Sequence, residues 1–154
     1  MNREQVETRV KGIEVDVRAS LKANGEVHYE TIWRNASDPN GVWRCEPIDL
    51  PNGPNHYKLE FNLDDKSGRK LQFYSDPAEA MYVRVGGCPS GPGNGDEQIL
   101  FEDVDRSKKK LTIKDFNQDP PRDLHYMLRF DGERRGSHPP YEHDPVIING
   151  GGGV

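Results

Sequence analysis

In several segments from residue 13 onward, apolar side chains fall on alternate positions with polar ones between. Ile13, Val15 and Val17 alternate with Glu14, Asp16 and Arg18, and Val27, Tyr29, Thr31 and Trp33 resume the alternation after Asn24-Gly25. A strand turns successive side chains to opposite faces, so the pattern predicts two strands, each with one buried and one wet face. Asn and Gly both tolerate positive φ, which makes residues 12–34 a hairpin. Tyr57, Leu59, Phe61 and Leu63 repeat the pattern, and Leu71 and Phe73 follow across the polar stretch 64–68, which predicts a second hairpin. Leu124, Tyr126, Leu128 and Phe130 form the cleanest strand, with His125, Met127 and Arg129 on the opposite face. Shorter strands are predicted at 82–85, 98–101, 111–113 and 146–148.

About nine strands at this spacing predict an all-β antiparallel β-sandwich, of immunoglobulin-like or Greek-key type. One short helical turn is expected at Asp76-Pro77-Ala78-Glu79, where a capping carboxylate precedes proline at the first helical position. The N-terminal segment reads two ways: Val6 and Val10 suit a helix, while Val6, Thr8 and Val10 suit an edge strand.

Composition sharpens the picture. Of 154 residues, 32% are hydrophobic and 31% charged, with a mean hydropathy of -0.92. Leu, Ile, Val and Phe make up about 21% of the chain, just above the level of roughly 20% at which chains cease to bury enough apolar surface to fold. The net charge of -5 is too small to drive the chain into disorder. Twelve prolines and sixteen glycines gather between the strands. No linker separates two apolar blocks, so residues 1–154 read as a single domain, with 150–154 as a flexible glycine tail.

Several functions are set aside at this stage. No run approaches the roughly 18 apolar residues of a membrane span, and the first eleven residues lack the apolar run of a secretory signal. The expectation is a cytoplasmic protein that does not engage a membrane. An acidic pI near 5.5 argues against nucleic acid as a partner, and Lys108-Lys109-Lys110 reads as a charged turn. Cys45 and Cys88 read as free thiols in a reducing compartment, or as one disulfide if the protein is exported. Asn35-Ala36-Ser37 fits a glycosylation acceptor only on a secretory route.

Candidate chemistry is sparse. Asp115, Asn117 and Asp119 alternate as calcium ligands do in a curled loop, although Pro120 replaces the tight-turn glycine and Asx residues before Pro-Pro are ordinary turn formers. Residues 138–144 hold His138, Glu142, His143 and Asp144, but the two imidazoles stand at neither helical nor strand spacing for zinc. The glycine-rich stretch 86–95 is followed by Asp96-Glu97, which repel phosphate, and Cys88 has no basic neighbour in sequence to activate it. Acid pairs such as Glu14/Asp16 and Asp103/Asp105 read as a solvated face. No nucleophile elbow or cysteine–histidine motif is present, which leans away from an enzyme.

Trp43 lies in a loop between Gly41 and Arg44, and Tyr74, Tyr82 and Tyr141 lie near strand ends; flat rings beside Asn, Asp and Arg serve as sugar or peptide platforms, while the competing reading places Trp33 and Trp43 in a core short of aliphatics. The tail Val146-Ile147-Ile148 reads either as a closing strand or as one that adds to another subunit's sheet. Asp123-Leu124-His125-Tyr126-Met127-Leu128 resembles the Tyr-bearing strand of immunoglobulin-like sandwiches, with Leu128 where that family carries cysteine. The resemblance spans about ten residues and brings no function with it.

Two functions are expected. One is a small non-catalytic module acting through protein contacts or self-association by an edge strand or the tail. The other is a carbohydrate- or small-ligand-binding sandwich using Trp43, Tyr74 and Tyr141, assisted by calcium at Asp115, Asn117 and Asp119. No cofactor beyond calcium is expected.

Overall fold

The computed structural model describes residues 10–36, 40–53, 56–85, 99–118, 120–133, 140–143 and 146–151. In chain order the elements are β1 (Val10–Leu21), β2 (Val27–Asn35), β3 (Arg44–Cys45), β4 (Ile48–Leu50), β5 (His56–Asp65), β6 (Gln72–Phe73), α1 (Pro77–Ala80), β7 (Met81–Val85), β8 (Ile99–Val104), β9 (Lys110–Asp115), β10 (Arg122–Asp131), β11 (Tyr141–His143) and β12 (Val146–Asn149). The protein is nearly all β, as the alternation predicts, with twelve strands and one helical turn among the described residues. Asp76 caps that turn, its Oδ1 accepting from the Ala78 amide at 3.0 Å.

The first sheet runs β3-β2-β1-β5-β9-β8. The second is organised on β10. One edge of β10 takes β7 and β6, the other takes β12 and β11, and β4 lies outside β12. Each sheet contains a parallel pair, β1 with β5 and β12 with β4, so neither is antiparallel throughout. Alternation decides which face a side chain takes, and both pairing directions satisfy it equally.

The β1–β2 hairpin forms as expected, with Gly25 at φ +87° in its turn. The second expected hairpin does not. β5 pairs with β1 and β9, while β6 pairs with β10 in the other sheet. Asp65 decides this. Its carboxylate accepts from the Ser67 amide and hydroxyl and from the Leu71 amide, and the folded loop carries the chain across to the second sheet.

The inner faces meet in one cluster of buried side chains. Phe61 of β5 meets Tyr126 of β10 edge-on at 5.5 Å, and Phe130 of β10 lies against Tyr29 and Phe73. Aromatic rings supply the volume that the low aliphatic content withholds. No helix among the described residues is long and apolar enough to cross a membrane.

Candidate functional site

A cleft of about 450 Å³ opens at one end of the first sheet. Ile13 of β1, Trp33 of β2 and Tyr57 of β5, all buried, form its floor. Lys11, Asn35, Val42, Arg44, Asp49 and Asn52 stand around it. Trp33 organises one wall. Its indole N–H lies 3.1 Å from both the Cys45 and Pro47 carbonyls, and Arg44 is its register partner across β2–β3. An indole on the inner face thereby holds the chain reversal from β3 to β4 against the sheet.

The opposite wall, Pro51 and Asn52, is held by the C-terminal segment. Gly150 N donates to Leu50 O at 2.7 Å, Asn52 Nδ2 donates to Gly150 O at 3.0 Å, and Gly53 N donates to Gly151 O at 3.1 Å. Gly150 is required by contact: a Cβ there would lie 2.4 Å from Asn52 N and 2.6 Å from Leu50 O. Gly150 and Gly151 are thus part of the packed structure, and 152–154 lie outside the described residues.

Asp115 and Asn117 stand behind this wall, both fully buried. Asn117 Nδ2 donates to Pro51 O at 3.0 Å. Asp115 Oδ1 accepts from the Asn117 amide and from Asn149 Nδ2, each at 2.8 Å, while its Oδ2 has no hydrogen-bond partner among the described residues. Burial pushes the Asp115 carboxyl up to about 6, and those two hydrogen bonds hold it from rising further. Two of the three expected calcium ligands lie among the described residues. Asp115 and Asn117 are engaged with main-chain and amide groups, and Asp119 lies outside the described residues. Nowhere among the described residues do three or more His, Cys, Asp or Glu side chains gather as metal ligands do.

The three expected platform rings do not converge. Trp43, 37% exposed, lies beneath the Arg34 guanidinium at 4.6 Å, on the outer face of the first sheet. Tyr74, just past β6, is partly buried against the core, with the Arg129 guanidinium 5.3 Å from its ring. Tyr141 is the register partner of inward-facing Phe130 and packs against the core. Of the two tryptophans, Trp33 lies in the core and Trp43 outside it.

Lys108 to Lys110 form the expected charged turn, the Lys109 and Lys110 amides donating to Asp105 Oδ1. His138, Asp144, Cys88 and the stretch 86–95 lie outside the described residues. Cys45 is an exposed free thiol.

One distant convergence escaped the sequence. Thr31 Oγ1 lies 2.7 Å and Glu46 Oε1 3.4 Å from His143 Nε2, with Tyr29 stacked on the imidazole at 4.9 Å. A hydroxyl–imidazole–carboxylate relay needs the carboxylate on the ring nitrogen opposite the hydroxyl. Here both oxygens meet Nε2, and Thr31 is buried, so the set fastens β2, β11 and the segment after β3 together. The pair spans 112 positions, and no local pattern marks it.

No protein-family model matches the chain, and comparison with curated proteins finds no relative.

Proposed function

We propose that this protein is a non-catalytic binding module that takes a small polar ligand, such as a sugar or a small organic molecule, in the cleft over Ile13, Trp33 and Tyr57. The observation that carries the reading is the cleft itself: an apolar floor ringed by Lys11, Arg44, Asp49 and two amide side chains, with both walls braced from behind. Its volume falls within the roughly 300–1,000 Å³ of small-molecule sites. The test is a ¹⁵N-resolved titration with a panel of monosaccharides, amino acids and hydroxy acids. Clustered, saturable shifts at Ile13, Trp33, Val42 and Tyr57 are expected. Absence of such clustering for every compound overturns the reading.

Protein contact or self-association at an edge is a second reading, and Leu100 favours it. This side chain is 48% exposed on β8, the strand that ends the first sheet. Edge strands pair readily when flat and apolar, but β8 has a register shift between Phe101 and Asp103 and carries exposed Glu102 and Asp103, features that blunt edges. The tail strand β12 is already bonded on both sides, to β10 and to β4. Light scattering of the native chain and Leu100→Lys separates the readings: a dimer that the substitution dissociates favours edge pairing, and a monomer in both removes it.

A further inference from the structure

The geometry points to a carboxylate monoanion on a compact apolar frame as the occupant of the cleft. This inference rests on the cleft being a ligand site and names the chemistry it would take.

Among the described residues, the cleft brings two unpaired cations into one concave space, whereas the unpaired cations Arg18 and Lys58 of the same sheet stand apart on its open outer face. On the outer face, Arg34 meets Glu14 at 3.1 Å, Lys110 meets Glu60 at 3.6 Å, and Lys114 meets Glu102 at 3.9 Å. The side chains of Lys11 and Arg44, which border the cleft, form no ion pair or hydrogen bond among the described residues, although acidic groups outnumber basic ones by 26 to 21. Asp49 also lines the cleft yet stands farther from either cation than an ion pair allows.

Two cations facing one concave space repel each other, and a bound anion relieves that repulsion. The floor of Ile13, Trp33 and Tyr57 lowers the local dielectric and makes the attraction worth more than it is on open surface. Guanidinium presents a planar fork that matches a carboxylate, and ammonium supplies a second, less directional contact. Two positive groups against the carboxylate of Asp49 leave a single net positive charge. That balance favours one negative charge over the two of a phosphate monoester. Among the residues that line the cleft, Lys11 and Arg44 are the charged donors an anion would meet.

Benzoate, phenyl phosphate and benzyl alcohol test this, since they share a ring and differ in charge. Each is titrated into the ¹⁵N-labelled protein, with shifts followed at Ile13, Val42 and the Trp33 indole N–H. Benzoate is expected to bind at least about tenfold more tightly than benzyl alcohol and more tightly than phenyl phosphate. Arg44→Gln and Lys11→Gln are each expected to weaken benzoate at least about fivefold and to leave benzyl alcohol unchanged. Both side chains are exposed, and an unchanged melting temperature confirms the fold; Arg18→Gln, on the outer face, serves as the control. Equal affinities for benzoate and benzyl alcohol overturn the anion assignment while the cleft reading stands. Tighter binding of phenyl phosphate overturns the single-charge argument. No saturable shift with any of the three overturns both this inference and the cleft reading.

Discussion

Asn117 and Gly151 bond each other twice. Asn117 Oδ1 accepts from the Gly151 amide at 3.0 Å, and Asn117 Nδ2 donates to the Gly151 carbonyl at 3.2 Å. An amide side chain thus stands in for a strand partner and fastens the last described residues to the end of β9. Because Nδ2 also reaches Pro51 O, the same side chain sets one wall of the cleft.

Asn117→Ala leaves the Gly151 amide and two carbonyls without that partner in a buried setting. A loss of about 2–4 kcal/mol in urea unfolding is expected, since each orphaned buried group costs about 1–3 kcal/mol and some regain water. Gly150→Val is expected to cost at least as much, because its Cβ meets backbone atoms that cannot rotate away. A chain ending at Asn149 that unfolds like the native protein would refute the bracing role of Gly150 and Gly151.

Asp115 gives stability a pH dependence of defined sign. Its folded value, about 6, lies above the ordinary 3.8, so the folded state holds the proton more tightly than the unfolded chain. The resulting stabilisation is full below about 3.8 and is lost as pH rises through 6, a span on the order of 3 kcal/mol. Burial also raises Asp16, whereas Asp65 and Asp105 are lowered, so the native curve mixes opposing slopes. Asp115→Asn isolates the effect. Its stability relative to the native protein is expected to improve steadily from pH 4 to pH 7, and a constant difference would sink the assignment.

Asp65 behaves in the opposite sense. Burial pushes its carboxyl up, but the Ser67 hydroxyl and amide, the Leu71 amide and the Lys109 charge together hold it below the usual value. Asp65→Ala is expected to cost about 2–3 kcal/mol at pH 7, as the crossing loop loses three accepted hydrogen bonds. The cost is expected to shrink once the pH falls below the ordinary 3.8 and through the lowered folded value. Thermal melts at pH 7 and at pH 3 check both parts.

Lysine is not expected to replace Arg129 without loss of stability. Its guanidinium lies 4.2 Å from the Tyr82 ring and 5.3 Å from the Tyr74 ring, and Nη1 donates to Glu79 O at 2.9 Å and to Glu79 Oε2 at 3.0 Å. Lysine keeps the charge but loses the planar fork and the stacking. Arg129→Lys is expected to cost about 1–2 kcal/mol, read as a lower denaturation midpoint. An unchanged midpoint would show that charge alone suffices there.

The sequence by itself determined which side chains turn inward, because a period of two is a local property of an extended backbone. Ile13, Val15 and Val17, then Leu59, Phe61 and Leu63, then Leu124, Tyr126, Leu128 and Phe130 all lie buried as the alternation requires. The Asp76 cap and the Asn24-Gly25 turn were legible for the same reason, since their partners lie within a few residues. Strand partners were not legible. Tyr57–Leu63 presents the same faces whether it pairs with β6 or slots between β1 and β9, and only the fit of both sheets around one aromatic core selects the second arrangement. The cleft belongs wholly to that level. Lys11, Arg44 and Asp49 look like any surface charges along the chain, and they share one space because Trp33 and Asn117, acting across the fold, hold its two walls.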